Sequence, residues 1–428
     1  MEFIQVLVLL VPMFLLMGLG VPIFLAMGIT CLVFILAFDL PITILAQSYV
    51  RGLANYDFLA LPFFFLAGDL MNTGGITVRL LNFSKALVGH IRGGLSHVTI
   101  VTAMIFAGVS GSAVADAAAV GSVLIPAMKR SGYPGSYAAA VVAAAGTIGP
   151  IIPPSIPLVI YGLYSQISIG KLFLGGATPG ILMGVYLIIA SVIISRRRGY
   201  PADPRVTLIN VLRSSLDAVL ALMMPMIILG GIITGIVTAT ESAVLAVTYG
   251  LILGCFVYRD IKARDLPLVF GKAMIGAGTI LIIVATTGVF CWIIANMGLG
   301  DALVRGLLSI SNNKWVLLGV INVFFLIWGL FLDPVTALLI VIPILIPLAQ
   351  QVGIDLIHFG VVTVLNLMIG LVTPPVGVLV YLSSSMAQEK VELVFKESVP
   401  FIIALLLVLI MSTYLPFVVT WLPNLLMK

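Results

Sequence analysis

Gly149-Pro150-Ile151-Ile152-Pro153-Pro154 and Gly370-Leu371-Val372-Thr373-Pro374-Pro375 are one pattern written twice: a glycine leading into a diproline inside a long apolar run. Proline lacks the amide donor and its ring strikes the preceding turn, so a helix does not pass intact through either stretch. Working outward, Leu124-Ile125-Pro126 pairs with Leu345-Ile346-Pro347, Gly132 with Gly353, and Ile148-Gly149 with Ile369-Gly370. The offsets 345 − 124, 353 − 132, 369 − 148 and 374 − 153 all equal 221, with no gap. Asn72-Thr73-Gly74 and Asn296-Met297-Gly298 extend the match weakly at an offset of 224. The chain is an internal duplication.

The duplicated units belong to a membrane. Of 428 residues, 61% are hydrophobic and 9% charged, with a mean hydropathy of +1.26. Water-soluble domains run about 45–50% apolar and about 25% charged, which excludes a soluble fold. A spanning helix needs about 20 apolar residues, and about ten to twelve membrane elements fit this length. The start lacks a basic region and a small-residue cleavage site, so a retained membrane segment is expected from Phe3 onward. Cys31, Cys255 and Cys291 stand singly in apolar runs, and His90, His97 and His358 lack ligand spacing; no disulfide or transition-metal site is expected.

The net charge of +5 is no nucleic-acid signal, because the basic residues fall in short loops. These loops run Lys85 to Arg92, Lys129-Arg130, Arg196 to Arg213 and Arg259 to Lys272, and short basic loops face the cytoplasm. Lys129-Arg130 in the first copy becomes Gln350-Gln351 in the second, which predicts that the copies are inverted. Inverted repeats around a midplane site are a recurring transporter plan.

Between Arg92 and Lys129 lie 36 residues, short for two crossings and a turn, and both ends are basic. The midpoint, Gly108-Val109-Ser110-Gly111-Ser112, is poor helix-forming sequence. A re-entrant hairpin with its tip in the membrane is expected, with a partner from about Trp315 to Ala349 broken at Gly329-Leu330-Phe331-Leu332-Asp333-Pro334. Backbone freed at membrane depth persists only where it is buried in protein or lines a cavity. Its bare carbonyls, with serine and threonine hydroxyls, are oxygen ligands for a hard cation; a kink serving packing alone is the plainer alternative. Asp69, Asp116, Glu241 and Asp333 lie in or beside apolar runs, where an ionised group costs several kcal/mol. Each is read as facing a cavity or partner, or else as a helix cap or interfacial group. Asp333 stands at the position matching Ser112, and Phe331 at the position matching Ser110.

No Lys or Arg falls between Arg130 and Lys171, nor between Lys314 and Lys390. An anionic substrate is therefore expected to meet helix amino termini and bound cations rather than an arginine clamp. No carboxylate–histidine chain suggests a proton relay, so sodium is the expected coupling ion.

Four stretches together resemble the large membrane subunit of TRAP (tripartite ATP-independent periplasmic) transporters, DctM/SiaM-like, over essentially the whole chain. They are Ala107 to Asp116 (AGVSGSAVAD), Gly146 to Ser155 (GTIGPIIPPS), Thr240-Glu241-Ser242-Ala243 and Thr373-Pro374-Pro375-Val376-Gly377. The resemblance implies an all-α polytopic protein with inverted repeats, two re-entrant hairpins, two unwound diproline helices and an elevator-type mechanism. It implies no enzyme activity, but sodium-coupled uptake of an organic acid (dicarboxylate, sugar acid or sialic acid) across a bacterial inner membrane. The implied partners are a small four-helix membrane subunit and a soluble periplasmic substrate-binding protein. By the same resemblance, one sodium site uses Ser110, Ser112, Gly149, Ile152 and Pro154, and a second uses Gly329, Asp333, Thr373 and Val376, several through backbone carbonyls. Asp116, Thr147, Pro150, Ser155, Glu241, Asn366 and Pro374 are candidates for the substrate cavity or for structural charge.

The expected organisation is scaffold helices and an interfacial arm over 1–60, then a first repeat over 61–195. That repeat holds a hairpin at about 94–128 and a broken helix at about 137–165. A cytoplasmic connector (196–215) and scaffold helices (216–270) follow. The second repeat (271–390) has its hairpin at about 315–349 and its broken helix at about 358–386, before a C-terminal helix (391–428). Competing readings are a stand-alone sodium/dicarboxylate symporter and a channel. A membrane aspartyl protease built on Tyr56-Asp57 and Gly298-Leu299-Gly300-Asp301 is weaker, because both aspartates sit in polar, interfacial surroundings. A primary pump is excluded, since Gly170-Lys171 and Gly271-Lys272 lack the upstream glycine of a Walker A loop.

Overall fold

A computed structural model of the chain describes residues 2–54, 56–202 and 207–427. Residues 203–206 of the expected connector, and the side chains of Asp57 and Asp301, lie outside the described residues. Among those described, the chain is helical without a strand. The amino-terminal part is α1 (Glu2–Gly18), α2 (Ile23–Ala37) and α3 (Thr43–Leu53), followed by a 3-10 turn at Tyr56–Leu59. Next come α4 (Ala60–Thr73), α5 (Ile76–Val88), α6 (Gly94–Ser110), α7 (Ala113–Arg130), α8 (Gly135–Gly146), α9 (Ile156–Ser165) and α10 (Ile169–Arg198). Then α11 (Leu208–Ile233) leads to α12 (Ala239–Leu251), whose end winds into a π-helical turn at Ile252–Val257. The second series is α13 (Leu266–Asn296), α14 (Leu299–Ile310), α15 (Lys314–Trp328), α16 (Pro334–Gln351), α17 (Leu356–Gly370), α18 (Val378–Ala387), α19 (Val391–Tyr414) and α20 (Phe417–Leu426).

The duplication is visible in these bounds. The starts and ends of α7 and α16 are each 221 residues apart (334 − 113, 351 − 130), as are the starts of α8 and α17 (356 − 135). Both diprolines, Pro153-Pro154 and Pro374-Pro375, carry a cis peptide bond. The weak Asn72 and Asn296 match marks the ends of α4 and α13, each followed by a left-handed glycine, Gly75 (φ +68°) or Gly298 (φ +63°).

Packing follows the same pseudo-symmetry. Helices α4 and α13 pack on each other, with α12 along α4 and α3 along α13. Crosswise contacts join the repeats: α7 packs on α18, and α16 on α9. The broken helices and hairpins thus share one interior, so neither repeat buries its apolar faces alone. Tyr161 of α9 ties the halves by donating its hydroxyl to the Leu356 carbonyl of α17 at 2.7 Å. Tyr161→Phe is expected to cost about 0.5–1.5 kcal/mol, the net worth of one such bond, read as a small drop in the thermal midpoint of the purified protein. An unchanged midpoint would mean that this bond adds nothing to the join.

Two details depart from the symmetric expectation. The break in the first hairpin is confined to Gly111-Ser112, and α6 runs on through Gly108-Val109-Ser110. An interior glycine costs a helix about 1 kcal/mol, but Gly108 lies against Pro225 of α11, where a Cβ would come within 2.8 Å of the ring. Tight packing there offsets the propensity. Secondly, α6 lies along α7, whereas α15 packs on α17 and hardly touches α16. Five residues (329–333) link α15 to α16, giving α16 the reach to insert against α9 and α13. The expected C-terminal helix is likewise two helices, interrupted at Leu415-Pro416.

Among the described residues, six helices are long and apolar enough to cross a membrane, α10 to α13, α16 and α19, and several shorter helices are also apolar. The exposed surface carries many large apolar side chains, including Leu19, Met226, Ile275 and Phe256. Such a surface suits lipid rather than water.

Candidate functional site

The two hairpin links and the two unwound segments converge on a cavity of about 360 Å³. From the first repeat come Gly111 to Val114 at the hairpin, Pro150 of the unwound segment and Ile156-Pro157 at the start of α9. The second repeat contributes Gly329 to Val335, Met368, Leu371 and Val376 to Val378. Phe65 of α4 and Thr279, Ile280 and Ile283 of α13 close the wall. Among the described residues of that wall, Asp333 is the one charged side chain.

In the first repeat, Ser112 caps α7, its hydroxyl accepting from the Ala115 amide at 3.5 Å. The Ser110 hydroxyl donates to Asp116 Oδ1 and accepts from the Ser112 amide at 3.2 Å. Asp116 is buried, and its Oδ2 has no hydrogen-bond partner. That oxygen is aimed at Gly149, where any Cβ would strike it. Gly111 adopts the left-handed conformation (φ +64°), with its Cα against the Pro154 carbonyl oxygen. Ser110, Ser112, Asp116, Gly149 and Pro154 therefore form one oxygen-rich cluster. Ile152 turns its side chain onto Gly180 of α10. Ser155 holds the unwound segment in shape by donating to the Pro150 carbonyl while capping α9 through the Leu158 amide at 3.2 Å.

In the second repeat, Asp333 caps α16, its Oδ2 accepting from the amides of Val335 (3.1 Å) and Thr336 (3.3 Å). The cap and cavity readings of this residue are compatible, because Asp333 lines the cavity while capping the helix. Gly329 backs onto Gly370, where a Cβ would come within 2.6 Å of the Gly329 carbonyl oxygen. Thr373, in the segment leading to Pro374, bonds the Ile369 carbonyl at 2.7 Å. Gly329, Asp333 and Val376 thus share the cavity wall, and Thr373 is not part of that lining.

Three candidates lie elsewhere. Glu241 forms a capping box with Thr238, accepting from its amide (2.8 Å) and hydroxyl (2.9 Å), and borders a separate polar cleft with Gln166 and Ser168. Exposure there removes the cost that made this charge look functional, and the Thr238-to-Glu241 spacing was a legible capping signal. Asn366 donates to the carbonyl and side-chain oxygens of Asn322 (both 3.0 Å), and Asn322 donates to Thr413 (2.8 Å), joining α15, α17 and α19 away from the cavity. Thr147 returns its hydroxyl to Ala144 at 2.6 Å. Conversely, Phe65 and the Thr279 to Ile283 face of α13 line the cavity without any sequence signal beyond ordinary apolar helix.

The family model for the tripartite ATP-independent periplasmic transporter, DctM component, matches residues 10–418. The chain belongs to the DctM family. A sialic acid TRAP transporter large permease protein, SiaM, of Vibrio cholerae is 40% identical over 380 residues, 89% of each chain. A C4-dicarboxylate TRAP transporter large permease protein, DctM, of Pseudomonas aeruginosa is 39% identical over 396 residues, 90% of this chain and 92% of the relative. The isethionate TRAP transporter permease protein DctMQ of Oleidesulfovibrio alaskensis is 41% identical, and this chain spans 60% of its length. In fold, the chain resembles the Alcanivorax borkumensis YdaH transporter, with a TM-score of 0.60 at 12% identity over 86% of this chain and 87% of the other. This DctM chain is accordingly a multi-pass membrane transporter component.

Proposed function

We propose that the protein is the large permease of a tripartite system, performing sodium-coupled, elevator-type uptake of an organic acid across a bacterial inner membrane. The observation that carries the reading is the convergence of both hairpin links and both unwound segments on one cavity whose wall, among the described residues, holds a single charge, Asp333. Clusters of hydroxyl, carboxylate and carbonyl oxygens suit a hard cation. The buried, unpartnered Oδ2 of Asp116 beside Gly149 leaves a ligand position at the first cluster. Cations held at Ser110, Ser112, Gly149, Ile152 and Pro154, and at Gly329, Asp333, Thr373 and Val376, would supply the positive charge that this cavity wall lacks. Relatives named for sialic acid, C4-dicarboxylate and isethionate transport support a cargo among small organic anions. The tripartite plan adds a small membrane subunit and a periplasmic binding protein.

Replacing sodium by choline in proteoliposomes holding all three components is expected to lower initial uptake by roughly tenfold or more, as for obligatory coupling at a midplane site. Uptake that persists in choline would rule out sodium as the coupling ion. Uptake by the purified chain alone, with neither partner, would instead establish the stand-alone symporter.

A further inference from the structure

A second cavity of about 230 Å³ adjoins the central one, and the two share Phe65 and Ser112. They lie in line along the α4–α13 pair. Thr279 to Ile283 of α13 border the first, and Gly276 and Lys272 border the second. On α4, the wall passes from Phe65 to Asp69 and Asn72. This direction leads toward the basic loop Arg259 to Arg264, since Gly74 and Gly75 beyond Asn72 touch Gly254 and Asp260. Short basic loops mark the cytoplasmic face. The second cavity therefore lies on the cytoplasmic side of the first, with the Ser110 and Ser112 tip as its roof.

Two features give this vestibule chemistry. Lys272 is the one cation among the described residues lining either cavity, and it borders the same space as Asp69 of α4. Phe65 stands at the junction with its ring over Gly276, where a Cβ would come within 3.3 Å of the ring carbons. The ring can lie flat there because Gly276 has no side chain.

We propose that Lys272 is a specificity-determining residue on the inner side: it receives the carboxylate or sulfonate group of the cargo as the anion passes Phe65 toward the cytoplasm, and Asp69 competes with the cargo for it. The proposal rests on the organic-anion uptake reading above and deepens it by assigning a release-side contact. The ammonium sits on α13, not on the hairpins, and faces the second cavity, so it meets the anion on that side. An opposite charge at such a rim changes recognition of the anion while leaving the ion clusters intact.

The test uses the full transporter in oriented proteoliposomes, with radiolabelled succinate, N-acetylneuraminate and isethionate as probes, and half-saturation measured separately at each face. For whichever probe the wild type carries, Lys272→Gln is expected to raise half-saturation at the cytoplasmic face about tenfold, the equivalent of 1.4 kcal/mol. The periplasmic value should stay within about twofold. Lys272→Arg should restore wild-type behaviour, and Asp69→Asn should lower the cytoplasmic value. The double variant should resemble Lys272→Gln. A purely structural ion pair predicts the opposite pattern, with both single variants impaired alike and the double variant rescued; that result, or an unchanged Lys272→Gln, overturns the assignment alone. A wild type that carries none of the three probes overturns it together with the organic-anion reading.

Discussion

Asp333→Ala is expected to lower sodium-dependent uptake by roughly a hundredfold, the upper end of what even outer-shell groups cost at an ion site. Asp333 is the single charged side chain among the described residues of the cavity wall, and it also caps α16 through the amides of Val335 and Thr336. Alanine removes both functions at once, and loss of the cap alone costs about 0.5–2 kcal/mol. Asp333→Asn separates them, because asparagine caps a helix about as well as aspartate but carries no charge. The asparagine variant should therefore keep wild-type yield and thermal midpoint while its uptake, followed as initial rate against sodium concentration, falls nearly as far as that of the alanine variant. Wild-type sodium dependence in Asp333→Asn would reduce Asp333 to a helix cap.

Gly370→Ala and Gly111→Ala should each cut uptake by about tenfold to a hundredfold, for a reason of shape rather than charge. A methyl group on Gly370 would lie 2.6 Å from the Gly329 oxygen, 2.7 Å from its carbonyl carbon and 2.9 Å from its Cα. All three are backbone atoms that cannot swing aside. The unwound segment and the hairpin link of the second repeat would have to separate by a fraction of an ångström, and misplacements of about 1 Å at a site can cost about a hundredfold. At Gly111 the left-handed backbone (φ +64°) adds a cost of about 1–2 kcal/mol for any residue with a Cβ. The Cβ would also meet the Pro154 carbonyl oxygen and lie 3.4 Å from the Ile156 amide. Gly353→Ala is the control, with the same handedness (φ +68°) but open space around it. Equal uptake in the Gly353, Gly111 and Gly370 variants would show that close backbone approach at the cavity is not required.

Much of this site could be read from one sequence because its parts are backbone breakers. Proline and glycine act through local geometry, so Pro153-Pro154, Pro374-Pro375 and the Gly-rich link announce themselves wherever they occur. The two clusters of oxygen ligands, in contrast, were named through family resemblance. Spacing alone carried the breaks and the matched position of Asp333, but not the inward aim of Asp116 Oδ2. For Glu241 the residues left two readings open, and the structure selects the helix cap: this residue sits beside an apolar run yet is exposed at a helix start, because its helix begins there. The α4–α13 wall, Phe65 with the Thr279 to Ile283 face, gave no signal, since a cavity-lining apolar residue and a buried one look alike in a chain this hydrophobic.

By itself the sequence determined the membrane setting, the duplication at 221 residues and the points at which helices must stop, all of which follow from composition and from steric limits on single residues. Tertiary structure alone decided which segments meet. The crosswise packing of α7 on α18 and of α16 on α9 is a choice among many apolar surfaces, and no local rule ranks them. It also decided the asymmetry between a closed first hairpin and a splayed second one, where a two-residue link keeps α6 against α7 and a five-residue link lets α16 leave α15. Lys272 came to border the second cavity in the same way, carried there by the packing of α13 against α4.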